Sequence, residues 1–432
     1  MTASDQLNSE QCEEEQKNLH PAMQRLLQTI DRNDEEDIDI ERKLFSRIDI
    51  EALRDVIMTK SKAQRLHLES CNIDDEMATI LAEGLKVNNT IKSLQFRRNK
   101  MEDEGAKAIA EALKLNTSVE TFLIVGDFIG TEGHVGMQGH LALAEAVKFN
   151  TSLTKFDMCG SDDDKEGIML ATLAESLKHN TSVRSLKLSK FRTGFSHIVD
   201  ALQHNCTIEK LVCNRFSFTE QEIVGLADVL ANSSSLKELD ISHMDIGDAE
   251  AVGLCKGLKR NKSLYRLDIS WNPLGVEGGK AFAELLISNE SLVELDLRNT
   301  DIKTEGAIAL AETLKHNSFL KKFNIGQNGL PNEVAVAFAE TIRSNSSLLD
   351  LGLGYNKITD DGCFPLAEAL KENTTLLILW LSGNNVQNPA LRSFIDALMV
   401  NKTVTDIFTS TRDVDEELKQ LVNKHCRSRL RI

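Results

Sequence analysis

The sequence predicts an α/β solenoid: a right-handed array of about thirteen strand-and-helix repeats, with parallel strands on a concave face and helices on a convex face. Three observations predict it. An apolar residue recurs at a nearly constant interval, the residues around it alternate with a period of two, and the residues that follow change to helical spacing. One strand and one helix cannot bury their apolar sides alone, so such repeats must stack and share one core.

The interval is read from the segment Leu267-Asp268-Ile269-Ser270-Trp271-Asn272-Pro273-Leu274, which has the pattern L-x-L-x-x-N-x-L. The spacings between its recurrences are 28, 28, 34, 30 and 25 residues, followed by seven of 28. The first apolar residue of the pattern recurs at Leu66, Leu94, Phe122, Phe156, Leu186, Leu211, Leu239, Leu267, Leu295, Phe323, Leu351, Leu379 and Ile407.

Both element types can be read within one repeat. Leu295-Asp296-Leu297 alternates as a strand with one buried face does. After Thr304-Glu305-Gly306, an acidic helix start, Ala307, Leu310, Ala311 and Leu314 follow helical spacing. Each repeat therefore predicts one short strand and one helix.

Composition excludes several classes of protein. The net charge of −16 argues against a nucleic-acid-binding surface, which is usually basic. The sequence contains no run of eighteen apolar residues, so it predicts no membrane span. The first residues do not resemble a signal peptide. The eight cysteines form no C-x-x-C pair, which favours free thiols. We therefore expect a cytoplasmic, monomeric protein without nucleic-acid or membrane partners.

Four regions are predicted. Residues 1–40 hold eleven acidic and three basic residues, a net charge of −8, and are predicted to be a mostly disordered acidic arm. Residues 41–62 are predicted to form an N-terminal helical cap, and 63–403 to form repeats one to twelve. Residues 404–432 are predicted to form a last partial repeat and a C-terminal helical cap.

The repeats resemble the ribonuclease-inhibitor type of leucine-rich repeat over about residues 50–425. The resemblance is carried by segments such as Ser263-Leu264-Tyr265-Arg266-Leu267-Asp268-Ile269-Ser270-Trp271-Asn272 followed by Gly275-Val276-Glu277-Gly278-Gly279-Lys280-Ala281-Phe282-Ala283. NOD-like receptors, Ran GTPase-activating proteins and tropomodulins contain the same repeat type. The resemblance implies the horseshoe fold and says little about function.

Motifs that carry chemistry are missing from the sequence. There is no G-x-x-x-x-G-K-[ST], H-E-x-x-H or G-x-S-x-G motif and no cysteine pair at zinc spacing. We therefore predict no enzyme activity, no catalytic residues, no metal and no cofactor. One alternative stays open at the insertion 126–140, where Glu132, His134 and His140 could bind a cation together with Asp162 to Asp164. The other interpretation is a solvated loop that contacts a partner.

Asparagine recurs at two positions of the repeat. Eleven Asn-x-Ser/Thr sequons, such as Asn116-Thr117-Ser118, lie where each helix ends. We interpret them as helix stops in the left-handed conformation rather than as glycosylation sites. A second asparagine closes the strand motif at Asn99, Asn272, Asn328, Asn356 and Asn384, where its amide can bond to the neighbouring repeat.

The aromatic residues with polar tips indicate a binding surface. The chain has two Trp and two Tyr, and all four lie at non-core positions of the strand motif. Such side chains anchor protein interfaces because they bury a large apolar area and keep a hydrogen-bonding group. We predict that a protein partner binds the concave face through Tyr265, Trp271, Tyr355 and Trp380.

Charged residues extend this prediction. Asp240, Asp268 and Asp296 form one column on neighbouring strands, and like charges there destabilise the sheet unless a cation lies between them. A basic partner would supply that cation. Arg97 and Arg98 lie on the same face earlier in the chain, so the predicted surface changes from basic to acidic and could orient a ligand.

The predicted function is that of a protein-binding scaffold or adaptor, and two alternatives stay open. The first is a GTPase activator similar to Ran GTPase-activating protein, whose Phe-Thr-Gly-Arg loop this chain matches only in the altered order Phe191-Arg192-Thr193-Gly194. The second is a cytoskeletal capping protein similar to tropomodulin, suggested by Phe122 to Gly126 and Ala142 to Ala146. Ribonuclease inhibition is not favoured, because the known inhibitors are richer in cysteine.

Overall fold

Each strand of the repeat forms because its alternate residues are apolar and reach a common core. The computed structural model describes residues 19–31, 37–59, 62–125, 134–160, 164, 166–191, 193–216, 218–411, 414–426 and 429–431. The chain divides into two units, Met1–Ile208 and Glu209–Ile432. In both units parallel strands alternate with helices, which confirms the predicted α/β repeat fold.

The first unit pairs its described strands in parallel and in chain order. Leu66 lies beside Leu94, and Phe122 lies beside Phe156, so the predicted apolar positions are in register. The strands are β1 (Asp37–Glu41), β2 (Arg65–Glu69), β3 (Ser93–Arg97), β4 (Thr121–Val125), β5 (Lys155–Cys159) and β6 (Ser185–Ser189). The helices are α1 (Pro21–Asp31), α2 (Arg47–Thr59), α3 (Asp75–Val87), α4 (Asp103–Leu115), α5 (Met137–Phe149), α6 (Ile168–His179) and α7 (Phe195–His204).

The second unit repeats the same arrangement with shorter strands. Its described strands are β7 (Lys210–Asn214), β8 (Glu238–Asp240), β9 (Arg266–Asp268), β10 (Glu294–Asp296), β11 (Lys322–Asn324), β12 (Asp350–Gly352), β13 (Ile378–Trp380), β14 (Asp406–Phe408) and β15 (Leu430–Arg431). Its helices are α8 (Glu220–Asn232), α9 (Asp248–Leu258), α10 (Gly275–Ser288), α11 (Lys303–Leu314), α12 (Asn332–Ser344), α13 (Asp360–Glu372), α14 (Asn388–Val400) and α15 (Glu416–Leu421), and one π-helical turn spans Val422–Cys426.

The array begins one strand earlier than the sequence analysis predicts. Strand β1 pairs with β2, and Ile38 lies beside Leu66, 28 residues further on. Helix α1 precedes this strand, and its Met23 is fully buried. Residues 19–31 and 37–40 are therefore folded, within the region that the sequence analysis expects to be a mostly disordered arm. Ile38-Asp39-Ile40 has the alternation of the repeat, so the signal was present in the sequence.

The asparagine that ends each helix ties neighbouring repeats together. Asn116 donates from Nδ2 to the carbonyl oxygens of Leu85 at 2.7 Å and Asn88 at 2.9 Å. Its Oδ1 accepts the N–H groups of Ser118 and Val119. The amide is buried and fully used, which supports the structural interpretation of the sequons. The predicted left-handed conformation is wrong, because the backbone at Asn116 is extended with φ −74° and ψ 130°.

The second asparagine has the predicted bond to the preceding repeat. Asn272 donates from Nδ2 to the carbonyl of Ile241 at 2.9 Å, and its Oδ1 accepts the N–H groups of Met244 and Ile246. Asn328, Asn356 and Asn384 likewise donate to a carbonyl oxygen and accept an N–H group of the preceding repeat. Buried backbone groups at the strand ends are therefore satisfied by side chains.

Arginine replaces asparagine where the array ends. Arg429 donates to the carbonyl oxygens of Leu398 at 2.5 Å and Asn401 at 2.9 Å. These acceptors lie 31 and 28 residues before Arg429, the separations that Asn116 has from Leu85 and Asn88. The guanidinium therefore closes the asparagine ladder without a further repeat.

In the described part of the chain, none of the helices is both long and apolar enough to cross a lipid bilayer.

The seven described cysteines are free thiols, and five of them are buried. Burial raises the pKa of the Cys363 thiol to about 12, which keeps it protonated and unreactive at neutral pH.

Candidate functional site

All four Trp and Tyr side chains lie on the exposed side of the second unit. They are between 38% and 63% exposed, whereas most described phenylalanines are buried. Trp380 belongs to β13, and Tyr265 directly precedes β9. Trp271 and Tyr355 instead lie in the turns that follow β9 and β12, with φ of +60° and +56°. Those two rings therefore lie at the edge of the strands. The strand motif had suggested instead that they lie on the strands.

Trp271 has an aromatic partner in the preceding repeat. Its ring stacks on the imidazole of His243, with centroids 5.0 Å apart and planes 16° apart. His243 stands 28 residues before Trp271 and has the same positive φ, of +56°. The position of His243 in the repeat could have indicated this contact, which the sequence analysis missed.

Trp380 also stacks on the next repeat. The rings of Trp380 and Phe408 are parallel within 5°, with centroids 4.0 Å apart. Arg431 belongs to strand β15, and its guanidinium lies 5.5 Å from the centroid of the Phe408 ring. The same guanidinium pairs with Asp406 at 2.6 Å. Cation–π contact and ring stacking thus hold three side chains in one row.

A hydrogen bond also holds the ring of Trp380, and a backbone contact holds the ring of Tyr355. Trp380 Nε1 donates to Asp350 Oδ1 at 2.8 Å. The ring of Tyr355 lies on Gly383, where an added Cβ would come within 2.4 Å of Tyr355 Cδ1. Glycine at this position, which also has φ of +77°, therefore makes room for the ring. We call Tyr355, Trp380 and Phe408 the aromatic surface.

The predicted column of aspartates is present. Strand pairing places Asp240, Asp268 and Asp296 side by side, and the column continues through Asn324 to Trp380 and Phe408. Oδ1 of each aspartate accepts the N–H group two residues later at 3.0 Å. Asn324 makes the same bond at 2.9 Å. This hydrogen bond explains why Asp or Asn occupies the position. Because Asn makes it as well as Asp does, the bond does not explain the negative charge.

One cation near this column comes from the chain itself. Arg298 binds Asp296 through Nε and Nη2 at 2.8 Å, so this carboxylate already has a cation within the chain. Neither Asp240 nor Asp268 forms a salt bridge with another described residue. Burial, together with the carboxylates of Asp296 and Asp240, raises the pKa of Asp268 above its ordinary value. The charges of Asp240 and Asp268 therefore have no ion-pair partner among the residues that the structure describes.

This electrostatic cost predicts the effect of Asp268→Asn. The folded state binds the proton of Asp268 more tightly than the unfolded chain does, so ionisation weakens the fold as the pH rises from about 3.9 through the raised pKa. The amide keeps an acceptor for the Ser270 N–H and removes the charge. We expect a higher Tm than wild type at pH 7 and no difference below about pH 3, measured by thermal unfolding.

Asp296→Asn serves as the matched control for that prediction, because it breaks the ion pair with Arg298. We expect no gain in Tm from this control at pH 7. A lower Tm of Asp268→Asn at pH 7 would show that the Asp268 charge is paired in solution.

The neighbouring column on the same strands is electrically balanced. Strand pairing aligns Lys210, Glu238, Arg266, Glu294 and Lys322, so the sign of the charge alternates from strand to strand. Lys210 pairs with Glu238 at 2.8 Å, and Lys322 pairs with Glu294 at 2.7 Å. These charges stabilise the sheet and are already neutralised.

Tyr265 is also tied to this balanced column, since its hydroxyl donates to Glu238 Oε1 at 2.7 Å. Its ring is 38% exposed, so a partner could contact the ring while the hydroxyl stays bound. Arg97 and Arg98 lie in the first unit, and Arg98 pairs with Glu69 at 3.3 Å.

Two of the candidate cation ligands have structural roles, and a third, His134, is exposed. Glu132, Asp162 and Asp163 lie outside the described residues. His140 is buried with Nδ1 2.8 Å from the Gly136 carbonyl oxygen, and burial lowers its pKa. Asp164 accepts the N–H groups of Ile168 and Met169 at the start of α6. Among the described residues no group of three His, Cys, Asp or Glu side chains could hold a metal.

The altered loop of the GTPase-activator alternative is only partly described. Phe191 is buried, and Arg192, the residue that would have to reach a GTPase, lies outside the described residues.

Comparisons with known proteins agree with this architecture. A family model described as "Leucine Rich repeat" matches residues 87–110, 260–283, 288–311 and 344–367. A search of the curated proteins finds no match. Among solved structures, the yeast Rad7 and Elc1 complex contains a similar chain with 17% identity and a TM-score of 0.53 over 90% of this chain and 93% of that one. This likeness shows the fold.

Two further solved structures are similar to about a third of the chain. Leiomodin-1 actin-binding site 2 has 21% identity and a TM-score of 0.31, covering 34% of this chain and 85% of that one. The tropomodulin C-terminal domain of Caenorhabditis elegans has 16% identity and a TM-score of 0.31, covering 35% of this chain and 90% of that one. The repeated strand and helix, the paired asparagine ladders and the family match agree that the chain contains leucine-rich repeats.

Proposed function

We propose that this chain is a protein-binding scaffold, without enzyme activity of its own, that binds a protein partner on the exposed strand side of its second unit. The observation that carries the proposal is the aromatic surface. Tyr355, Trp380 and Phe408 are held in place by a stack, a hydrogen bond and a glycine contact, and Tyr355 and Trp380 remain 63% and 38% exposed. A surface that is ordered before binding loses little side-chain entropy when a partner binds.

The exposed rings would contribute most of the binding energy. A Trp or Tyr that becomes fully buried at an interface typically contributes about 2 kcal/mol or more. The stack of Trp271 on His243 offers a second anchor in the same unit. Tyr265 adds a ring whose hydroxyl is already bonded to Glu238, so it brings no unpaired polar group into the interface.

The charges beside the rings suit a partner with basic side chains. Asp240 and Asp268 carry charges that no described residue pairs, and Asp296 is shared with Arg298. A lysine or arginine of the partner would relieve the repulsion between the first two carboxylates. Arg97 and Arg98 of the first unit stay in the proposal as a separate basic contact. We also propose that the protein is cytoplasmic and monomeric and that it has no nucleic-acid or membrane partner.

Asparagine substitutions test this surface with little disturbance of the fold. The column of Trp271 and Tyr355 contains Asn299 with φ of +51°, and the column of Trp380 contains Asn324. The triple variant Trp271→Asn, Tyr355→Asn, Trp380→Asn therefore uses residues that these positions already accept. We expect it to lose its main partner, by at least a hundredfold in affinity, as measured by quantitative affinity purification beside wild type and then by titration with the purified partner.

The matched control removes exposed apolar area from the helix side of the same unit through Ile287→Ser and Val400→Ser. Ile287 and Val400 are 73% and 59% exposed. We expect this control to keep the partner. Equal partner recovery with the triple variant, at unchanged Tm, would refute binding through Trp271, Tyr355 and Trp380.

A further inference from the structure

The helix side of the first unit contains an open groove along α6. Its volume is about 720 Å³, and it lies between α5 and α7. Phe149 of α5 and Ile168, Ala171 and Thr172 of α6 provide its apolar part, and His197 of α7 lies on its far side. Ile168 and Ser176 are separated by eight helical rises, so the groove follows α6 for about 12 Å.

Two exposed apolar residues of this groove occupy positions that are polar in several other repeats. Ile168 is 40% exposed in the first turn of α6, twelve residues before the asparagine that ends the helix. The residues at the same distance from the asparagines that end three later helices are Glu277, Glu305 and Glu333. Glutamate suits a helix N-terminus because of the helix dipole. The fold therefore does not require an exposed isoleucine at this position.

Phe149, the last residue of α5, is the second exposed apolar residue of the groove. It directly precedes Asn150 and is 59% exposed. The residues that directly precede the equivalent asparagines of the second unit include Ser288, Ser344 and Glu372. Lys114 lies 5.8 Å from the Phe149 ring centroid, and the ring stays more than half exposed despite this contact. An apolar side chain is not a structural requirement here either.

The charge around the groove is acidic. Three carboxylates line it, those of Glu145, Glu166 and Glu175, against one ammonium group, that of Lys148. Glu175 pairs with Lys178 at 3.4 Å, whereas Glu145 and Glu166 form no salt bridge with another described residue. A basic segment would therefore complement this groove.

The backbone of the occupant is also constrained. Helices line the groove, and their backbone groups are bonded within the helices, so they offer few partners to a guest backbone. An extended peptide would lose hydrogen bonds to water there, whereas a helix satisfies its own backbone groups. Apolar side chains at positions i and i+7 of a helix lie about 10 Å apart, close to the length of the groove.

We propose that this groove is a second docking site, which binds an amphipathic helix of a partner that has apolar side chains on one face and lysine or arginine beside them. The site lies in the first unit and does not depend on the function proposed for the second. Together the two surfaces would let one chain bridge two partners.

Labelled synthetic helices test the proposal on the full chain. The probe is a fluorescein-labelled amphipathic peptide with leucine at i, i+4 and i+7 and flanking lysines, beside a peptide in which glutamates replace the lysines. We expect the lysine peptide to bind wild type at least tenfold more tightly than the glutamate peptide in fluorescence anisotropy. The variant Ile168→Glu, Phe149→Ser, which carries the residues found in later repeats, should weaken the lysine peptide at least tenfold.

Leu115→Ser is the matched control, because Leu115 precedes Asn116 as Phe149 precedes Asn150 and is 65% exposed outside the groove. It should change the affinity less than twofold, and so should the triple asparagine variant of the second unit. Equal binding by the double variant, or equally tight binding of the glutamate peptide, would overturn the proposal. A change from dimer to monomer in the double variant, seen by light scattering, would also overturn it in favour of a second copy of this chain.

Discussion

Replacing Asn345 by alanine is expected to destabilise the second unit by about 4 kcal/mol, since four buried backbone groups each lose a partner at about 1 kcal/mol or more. Nδ2 of Asn345 donates to the carbonyls of Leu314 at 2.6 Å and Asn317 at 2.8 Å. Its Oδ1 accepts the N–H groups of Ser347 at 2.8 Å and Leu348 at 2.7 Å. Water cannot replace these bonds without opening the joint between two repeats.

The loss should be measured in two ways, because long repeat arrays need not unfold in one step. Chemical denaturation gives the change in stability, and hydrogen exchange at the Ser347 and Leu348 amides shows whether the joint itself has opened. Ser346→Ala, next to Asn345 and exposed, is the control and should change stability by less than about 0.5 kcal/mol. If both variants were equally stable, the ladder would not hold the repeats together.

Replacing Arg429 by methionine is expected to release the C-terminal strand at a cost of about 3 kcal/mol, since hydrogen bonds from a charged group are worth about 1.5 to 3 kcal/mol each. Methionine keeps most of the apolar stem and removes the guanidinium that reaches Leu398 and Asn401. The amides of Ile407 and Thr409 donate to the carbonyls of Arg429 and Arg431 at 2.7 Å. Their protection from hydrogen exchange should therefore fall by roughly a hundredfold or more.

Arg392→Ala is the control for this terminal contact. Arg392 also joins α14 to the last helix, through a salt bridge to Glu417 at 3.0 Å, but both side chains are exposed. An exposed pair of this kind contributes less than about 1 kcal/mol. Unchanged exchange at Ile407 and Thr409 in Arg429→Met would mean that β15 is held by its strand pairing alone.

The sequence was most informative where the repeat is regular. The 28-residue interval from Leu211 to Ile407 predicts the register of the described strands, because equal spacing brings equivalent residues side by side. The same interval would have placed Ile38 in the array. The sequence analysis does not predict the strand that contains Ile38, because the surrounding segment is acidic and acidic composition favours disorder.

The candidate surfaces were predicted less completely. The exposure of Trp271, Tyr355 and Trp380 follows from their position in the motif, and the structure bears it out. Their partners did not follow in the same way. The stack of Trp380 on Phe408, the contact of Tyr355 with Gly383 and the pairing of Arg298 with Asp296 depend on rotamers that packing selects.

The groove along α6 was not predicted at all. It lies in the stretch where the repeat spacing changes to 34, 30 and 25 residues, so the position of one helix against the next cannot be read from the interval. The apolar residues Phe149 and Ile168 are visible in the sequence, but only the structure shows that α5 and α6 place them along one groove.

By itself the sequence determined the repeat, the alternation of strand and helix and the residues of the core, because apolar periodicity must match the period of the element that buries it. It also determined the asparagine positions, since each backbone group buried at a joint needs a partner. Tertiary structure alone decided which exposed side chains contact each other, which charges are neutralised and where the helices leave a groove. Those outcomes depend on distances between repeats, and the order of residues along one chain does not specify them.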